Sequence, residues 1–153
     1  KENLRDKVKE NIIFSEGRFR YAFDKGYGFT KKEGEKEVER FLSEFKKADN
    51  FKKDYENIYK ELGITAQELY NIEKISILKN ETIIRYEKKE IPDLKEYKKI
   101  KKKTLTDFKK TNYWKTIEKA IDRTFDLLQK NPKPTLEEIK KANLDVYKSP
   151  YKD

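Results

Sequence analysis

Chemistry in this 153-residue sequence would have to come from 29 carboxylates, 32 lysines, six arginines and ten tyrosines, because there is no His, Cys or Met. Without His there is no Ser-His-Asp or Cys-His triad and no imidazole metal ligand. Without Cys there is no thiol nucleophile, thiolate metal site or disulfide framework. Carboxylates could still act in pairs, as in glycoside hydrolysis, but no spacing singles out a pair. No phosphate-cradling glycine loop occurs. No cofactor, no metal and no enzymatic activity are expected.

One acidic string needs a closer look. Pro92-Asp93 followed by Glu96-Tyr97-Lys98 has the residue types of the Pro-Asp…Glu-x-Lys metal-nuclease signature. In that signature the second element stands on a strand well downstream, so that the carboxylates converge on Mg²⁺. Here both elements are adjacent on one expected helix, which separates the carboxylates from any such partner. The nuclease reading is set aside.

A second string, Lys25-Gly26-Tyr27-Gly28-Phe29, resembles the start of the RNP1 octamer of RNA-recognition motifs and the matching string of cold-shock domains. The resemblance covers five of eight octamer positions. Position six is Thr30 rather than an aliphatic residue, and position eight is Lys32 rather than an aromatic one. It implies that Tyr27 and Phe29, with Phe19 or Tyr21, stack on bases while the glycines admit the strand. The alternative favoured by composition is a glycine-permitted turn whose aromatics pack on neighbouring helices.

Charge points to the same class of partner from another direction. The net charge is +9, and from Lys95 to Lys115 nine lysines stand against Glu96 and Asp107, a local net of +7. Lys98, Lys99, Lys101, Lys102, Lys103, Lys109 and Lys110 are candidate contacts to phosphates or to another anionic partner, peripheral anionic membrane included. The excess is of Lys rather than of Arg, whose planar fork nucleic-acid readers favour. A solvated helix face in a lysine-biased composition is the competing reading. Tyr113-Trp114 is a candidate partner anchor, since Trp and Tyr are frequent at interface hot spots. A single Trp at helical spacing from Ile117 and Ile121 also suits a bundle core.

The elements that position these residues read mainly as α-helix. The expected fold is an irregular bundle of about five helices in one domain spanning 1–153. Leu4, Val8 and Ile12 mark a short helix over 3–14, ended by the turn signal Ser15-Glu16-Gly17. Phe19, Tyr21 and Phe23 then alternate, which predicts a short β element near 19–29. Val38, Phe41, Leu42 and Phe45 form one apolar stripe, and Phe51, Tyr55, Ile58, Tyr59 and Leu62 a second. Gly63 suits a helix end, and Thr65 with Glu68 makes a capping box. The β-branched run over 75–86 reads equally as a β-hairpin or as a continued helix. Pro92 opens a basic helix with Leu94, Tyr97, Ile100, Leu105 and Phe108 on its apolar side, continued by Trp114, Ile117, Ile121, Phe125 and Leu128 with a break near Thr111-Asn112. Thr135 to Glu138 caps a last helix. The tail, about 143–153, is expected to be extended and to pack back.

No run approaches 18 apolar residues, so no membrane-spanning helix is expected. The absence of Met, initiator included, points to a processed chain: exported, organelle-targeted or excised. By subtraction, the expected function is non-enzymatic. The chain reads as a helical protein-interaction module, an accessory subunit of a larger assembly or the mature part of an exported or surface protein. The alternatives are a nucleic-acid-binding protein using the 95–115 helix and the aromatic loop, and an inhibitor or immunity-type protein that binds an enzyme or nucleoprotein.

Overall fold

The computed structural model describes residues 2–45, 47, 51–91, 93–142 and 149–152. Seven α-helices follow one another among them: α1 (Glu2–Ala22), α2 (Lys31–Phe45), α3 (Phe51–Leu62), α4 (Ala66–Glu90), α5 (Leu94–Lys109), α6 (Asn112–Lys130) and α7 (Leu136–Ala142). A single π turn, Phe23–Tyr27, joins α1 to α2, and Gly26 supplies its left-handed residue at φ +93°. The mainly α bundle is as expected, with more helices than the five anticipated, and no helix among the described residues is long and apolar enough to cross a membrane.

The β element expected near 19–29 is replaced by helix. α1 runs through Ser15-Glu16-Gly17 to Ala22. Gly17 serves close packing there rather than a turn, since a Cβ on it would lie 3.2 Å from Leu105 and 3.3 Å from Phe108. The Ser15 hydroxyl donates back to the Asn11 carbonyl at 3.1 Å, a bond made within a helix. The period of two misled because α1 is packed by α4, α5 and α6 at once. With neighbours on several sides, residues on different faces of one helix are all covered, and Phe19, Tyr21 and Phe23 cease to mark one face. What remains of β structure in this region is one isolated parallel bridge between Phe29 and Tyr151.

The hairpin alternative at 75–86 is likewise overturned in favour of helix, because α4 continues unbroken from Ala66 to Glu90. Ile77, Leu78, Thr82, Ile83 and Tyr86 are buried along it. The Thr82 hydroxyl, fully buried, donates to the Leu78 carbonyl at 2.7 Å, so the helix satisfies it locally. Burial between α1 and α2 outweighs β propensity, which is worth only ~1 kcal/mol across its whole scale.

Five of the seven described helices start on a side-chain cap. Thr65 and Glu68 close the expected capping box at α4, Asp93 accepts from the Lys95 amide at α5, and Thr111 accepts from the Trp114 amide at α6. Thr135 and Glu138 exchange the same reciprocal bonds at α7. So do Thr30 and Glu33 at the start of α2.

Three apolar clusters hold the bundle together. Ile13, Phe108, Trp114, Ile117 and Ile121 join α1, α5 and α6. Phe29, Val38, Leu42, Ile77 and Leu78 join α2 to α4, with the Tyr151 ring packed against them. Ala22, Tyr86 and Ile91 form the third, with Tyr21, Tyr27, Tyr97 and Ile100 around them. The tail packs back as expected over residues 149–152, where the Lys152 amide donates to the Phe29 carbonyl at 2.9 Å. The rest of the expected extended tail, 143–148 and 153, lies outside the described residues.

Candidate interaction surfaces

Several largely buried ionisable side chains tie helices to one another. Arg18 on α1 makes a two-pronged bond to Glu87 on α4, at 3.0 and 2.5 Å. Glu16, 9% exposed, accepts from Lys79 Nζ at 2.8 Å and from the Tyr113 hydroxyl at 3.1 Å, linking α1, α4 and α6. Burial, and then the Glu16 carboxylate, hold the Tyr113 hydroxyl well above the usual tyrosine range. At the outer end of the same helix pair, Arg5 reaches Asp122 and Asp126, and Lys9 reaches Glu118 and Asp122. Among the described residues no group of three or more acidic side chains converges on a metal-sized point.

The aromatic string folds inward. Phe29 is only 6% exposed, and the Arg85 guanidinium stacks on its ring at 4.2 Å. Tyr27 is half-buried, edge-on to Tyr86 at 5.3 Å, and its hydroxyl donates to Glu90. Phe19 is buried, and Tyr21 packs against Tyr86 at 5.6 Å. Gly28 is required because the Phe23 ring and Lys152 come within 3.3 Å of where a Cβ would stand. Thr30 to Glu33, at and beyond the sixth octamer position, is a helix cap. The same holds for the expected partner anchor. Trp114 is 4% exposed in the first cluster, and Tyr113 is half-buried with its hydroxyl on Glu16.

The lysines divide. Lys101 turns toward the bundle, its ammonium 5.1 Å from the Phe14 ring centre and 5.6 Å from that of Tyr97. Lys98, Lys99, Lys102, Lys103, Lys109 and Lys110 are exposed. The buried side of α5 is marked by Thr104 and Phe108, and its first turns meet the third cluster through Tyr97 and Ile100. The exposed lysines therefore lie on the side of α5 away from the cluster that holds Tyr27.

Several hollows among the described residues are open to solvent, the most voluminous of three at about 610 Å³ beside Glu35, Glu39 and Lys74. A cleft of mixed polarity, about 430 Å³, lies between α1, α5 and α6, with Arg20 stacked on Phe23 at 4.6 Å and paired to Asp24 at 3.7 Å. A more apolar groove of about 480 Å³ lies between α2, α3 and α4. Phe41, Leu42, Tyr55, Ile58 and Ile77 line it, and its charged lining residues are Asp54 and Glu73, both acidic. Phe41 is 38% and Ile58 42% exposed although both belong to apolar stripes. Both stripes are visible in the sequence, but not which of their residues stay open. A stripe specifies an apolar face, and only packing says whether a neighbour covers all of it.

No protein-family model matches this chain, and neither a curated protein nor a solved structure does.

Proposed function

We propose that the chain is a non-enzymatic helical interaction module that receives a basic amphipathic helix of a partner protein in the α2–α3–α4 groove. The observation that carries this reading is the groove itself, an apolar floor with Phe41 and Ile58 left open and with acidic lining residues, Asp54 and Glu73. Helix-in-groove recognition needs an apolar trough for residues at i, i+3, i+4 and i+7, and the flanking carboxylates select cationic flanks. The bonding of the buried ionisable groups adds weight, because Glu16, Arg18 and Glu87 are engaged between helices rather than presented to a substrate. A role as inhibitor or immunity-type protein is the same docking with an enzyme as partner.

The test is titration with a basic amphipathic helical peptide carrying leucines at i, i+3, i+4 and i+7 and lysines on its flanks. The expected dissociation constant is about 10–100 μM. The double variant Phe41→Ser/Ile58→Ser is expected to abolish binding at a cost of about 2–3 kcal/mol of stability, since each side chain is more than half buried, and far-UV circular dichroism checks that it remains folded. Binding that survives the double variant sinks the reading. So does equal affinity for a peptide with glutamates in place of the lysines.

A further inference from the structure

The outer face of α5 is a second, independent surface, on the opposite side of that helix from the packed aromatics. At about 100° per residue, Lys95, Lys98, Lys99, Lys102, Lys103 and Lys109 fall within an arc of about 140°. Thr106 is the only other residue type inside it, while Glu96 and Asp107 lie beyond its edge. All six lysines are exposed, and none pairs with a carboxylate among the described side chains. At 1.5 Å of rise per residue, the array is about 21 Å long.

Such a face has a narrow range of suitable partners. A protein interface wants an aromatic or aliphatic anchor and is depleted in Lys, and this arc offers no apolar side chain. An interfacial membrane helix must bury an apolar face in lipid, and the apolar side of α5 is spent on α1 and α6. Single-stranded nucleic acid wants stacking platforms, and Phe29 is buried while Tyr27 is bound to Glu90. What remains is a rod of regularly spaced charge. Duplex nucleic acid carries one phosphate charge per ~1.7 Å of axis, and neutralising those charges releases counterions without needing bidentate geometry.

We propose that the outer lysine face of α5 docks on the phosphate backbone of duplex nucleic acid, independently of sequence. Lys95, Lys98, Lys99, Lys102, Lys103 and Lys109 make the contacts, and Lys101 makes none, because it is stacked on Phe14 and Tyr97.

The experiment is anisotropy titration of a labelled DNA duplex of about two helical turns across a salt series starting near 50 mM. The log–log slope is expected at about −4 to −6, close to 0.9 per phosphate contact. The quadruple variant Lys98→Gln/Lys99→Gln/Lys102→Gln/Lys103→Gln is expected to shrink that slope by about 3 to 4, and Lys102→Gln alone by about 0.9, whereas Lys101→Gln shifts it by less than about half a unit. Several results would overturn the proposal. These are no binding near 50 mM salt, an unchanged slope in the quadruple variant, or a Lys101→Gln effect as large as that of Lys102→Gln. Tighter binding to phosphatidylserine vesicles or to polyglutamate than to the duplex would assign the face to another polyanion. Preference for single strands that is lost on Tyr27→Ala would assign recognition to the aromatic string.

Discussion

Glu16 sits where three helices meet, and its two partners come from different ones: Lys79 on α4 and Tyr113 on α6. Glu16→Ala removes the shared acceptor and leaves an ammonium and a phenol to find water in a site that is largely closed. The expected loss is about 2–3 kcal/mol, between that of a charged hydrogen bond and that of a broken buried pair. Glu16→Gln keeps one acceptor and is expected to lose about half as much. Urea denaturation of the two variants checks both values. Equal losses would mean that charge contributes nothing there. Nothing local in the sequence marks Glu16, which stands beside Ser15 and Gly17 in a string that reads as a turn. Its partners lie 63 and 97 residues away, and no spacing rule reaches that far.

At the scale of elements, the docking of the tail on α2 decides a contest between two effects. Gly34 stands in the second turn of α2, where Ala would be favoured over Gly by about 1 kcal/mol of helix propensity. A Cβ there would lie 2.6 Å from the Tyr151 ring and 2.9 Å from Leu78. Overpacking of this kind costs about 1–3 kcal/mol, so Gly34→Ala is expected to destabilise despite its better propensity. In a Tyr151→Ala background the penalty is expected to fall by at least about 0.5 kcal/mol, because one of the two obstructing groups is gone. A double-mutant cycle by thermal or urea unfolding measures this coupling, and strict additivity would show that the tail does not bear on α2. The helices themselves were largely legible. The stripes of α2, α3, α5 and α6, the caps at Thr65 and Thr135 and the break near Thr111-Asn112 stand in the sequence. So does the Thr30–Glu33 cap, whose spacing is the same as that of Thr65–Glu68 but which was obscured by the aromatic string beside it. α1 and α4 were read poorly. Both are packed on more than one side, and a helix covered on several sides carries apolar residues on more than one face, which blurs the period that identifies it.

For the molecule as a whole, the absence of His leaves no side chain whose ordinary titration falls in the neutral range. Stability is therefore expected to be flat between about pH 6 and 9. Its limits are set by groups whose proton affinity folding changes. Burial, and then neighbouring Tyr21, push Tyr86 up to about 12, and Tyr113 is raised further in the same direction. An unfolded tyrosine loses its proton near 10, so above that pH the native state binds more protons than the unfolded one, and stability falls as pH rises. Below pH 10 this contribution is fully present. On the acid side, amide bonds from Thr30 and Thr135 lower Glu33 and Glu138, and the stability these provide is lost as pH falls through their depressed values. Urea midpoints from pH 6 to 11.5 should show a plateau and then a decline from about 10. Tyr86→Phe and Tyr113→Phe should flatten that decline, and an unchanged decline would exclude these tyrosines as its cause.

What the sequence determined by itself was the absence of imidazole and thiol groups, the helical class, most helix ends and the location of its excess charge in residues 95–115. Those properties are local, because composition, capping and a stripe of 3.6-residue period each depend on residues within a few positions. Tertiary structure alone decided which side of each element is covered. It buried Phe29 and Trp114, turned Lys101 inward and left Lys102 beside it outside, and opened Phe41 and Ile58 over a groove. Exposure is a property of the neighbours that pack on a helix, and here those neighbours come from distant parts of the chain.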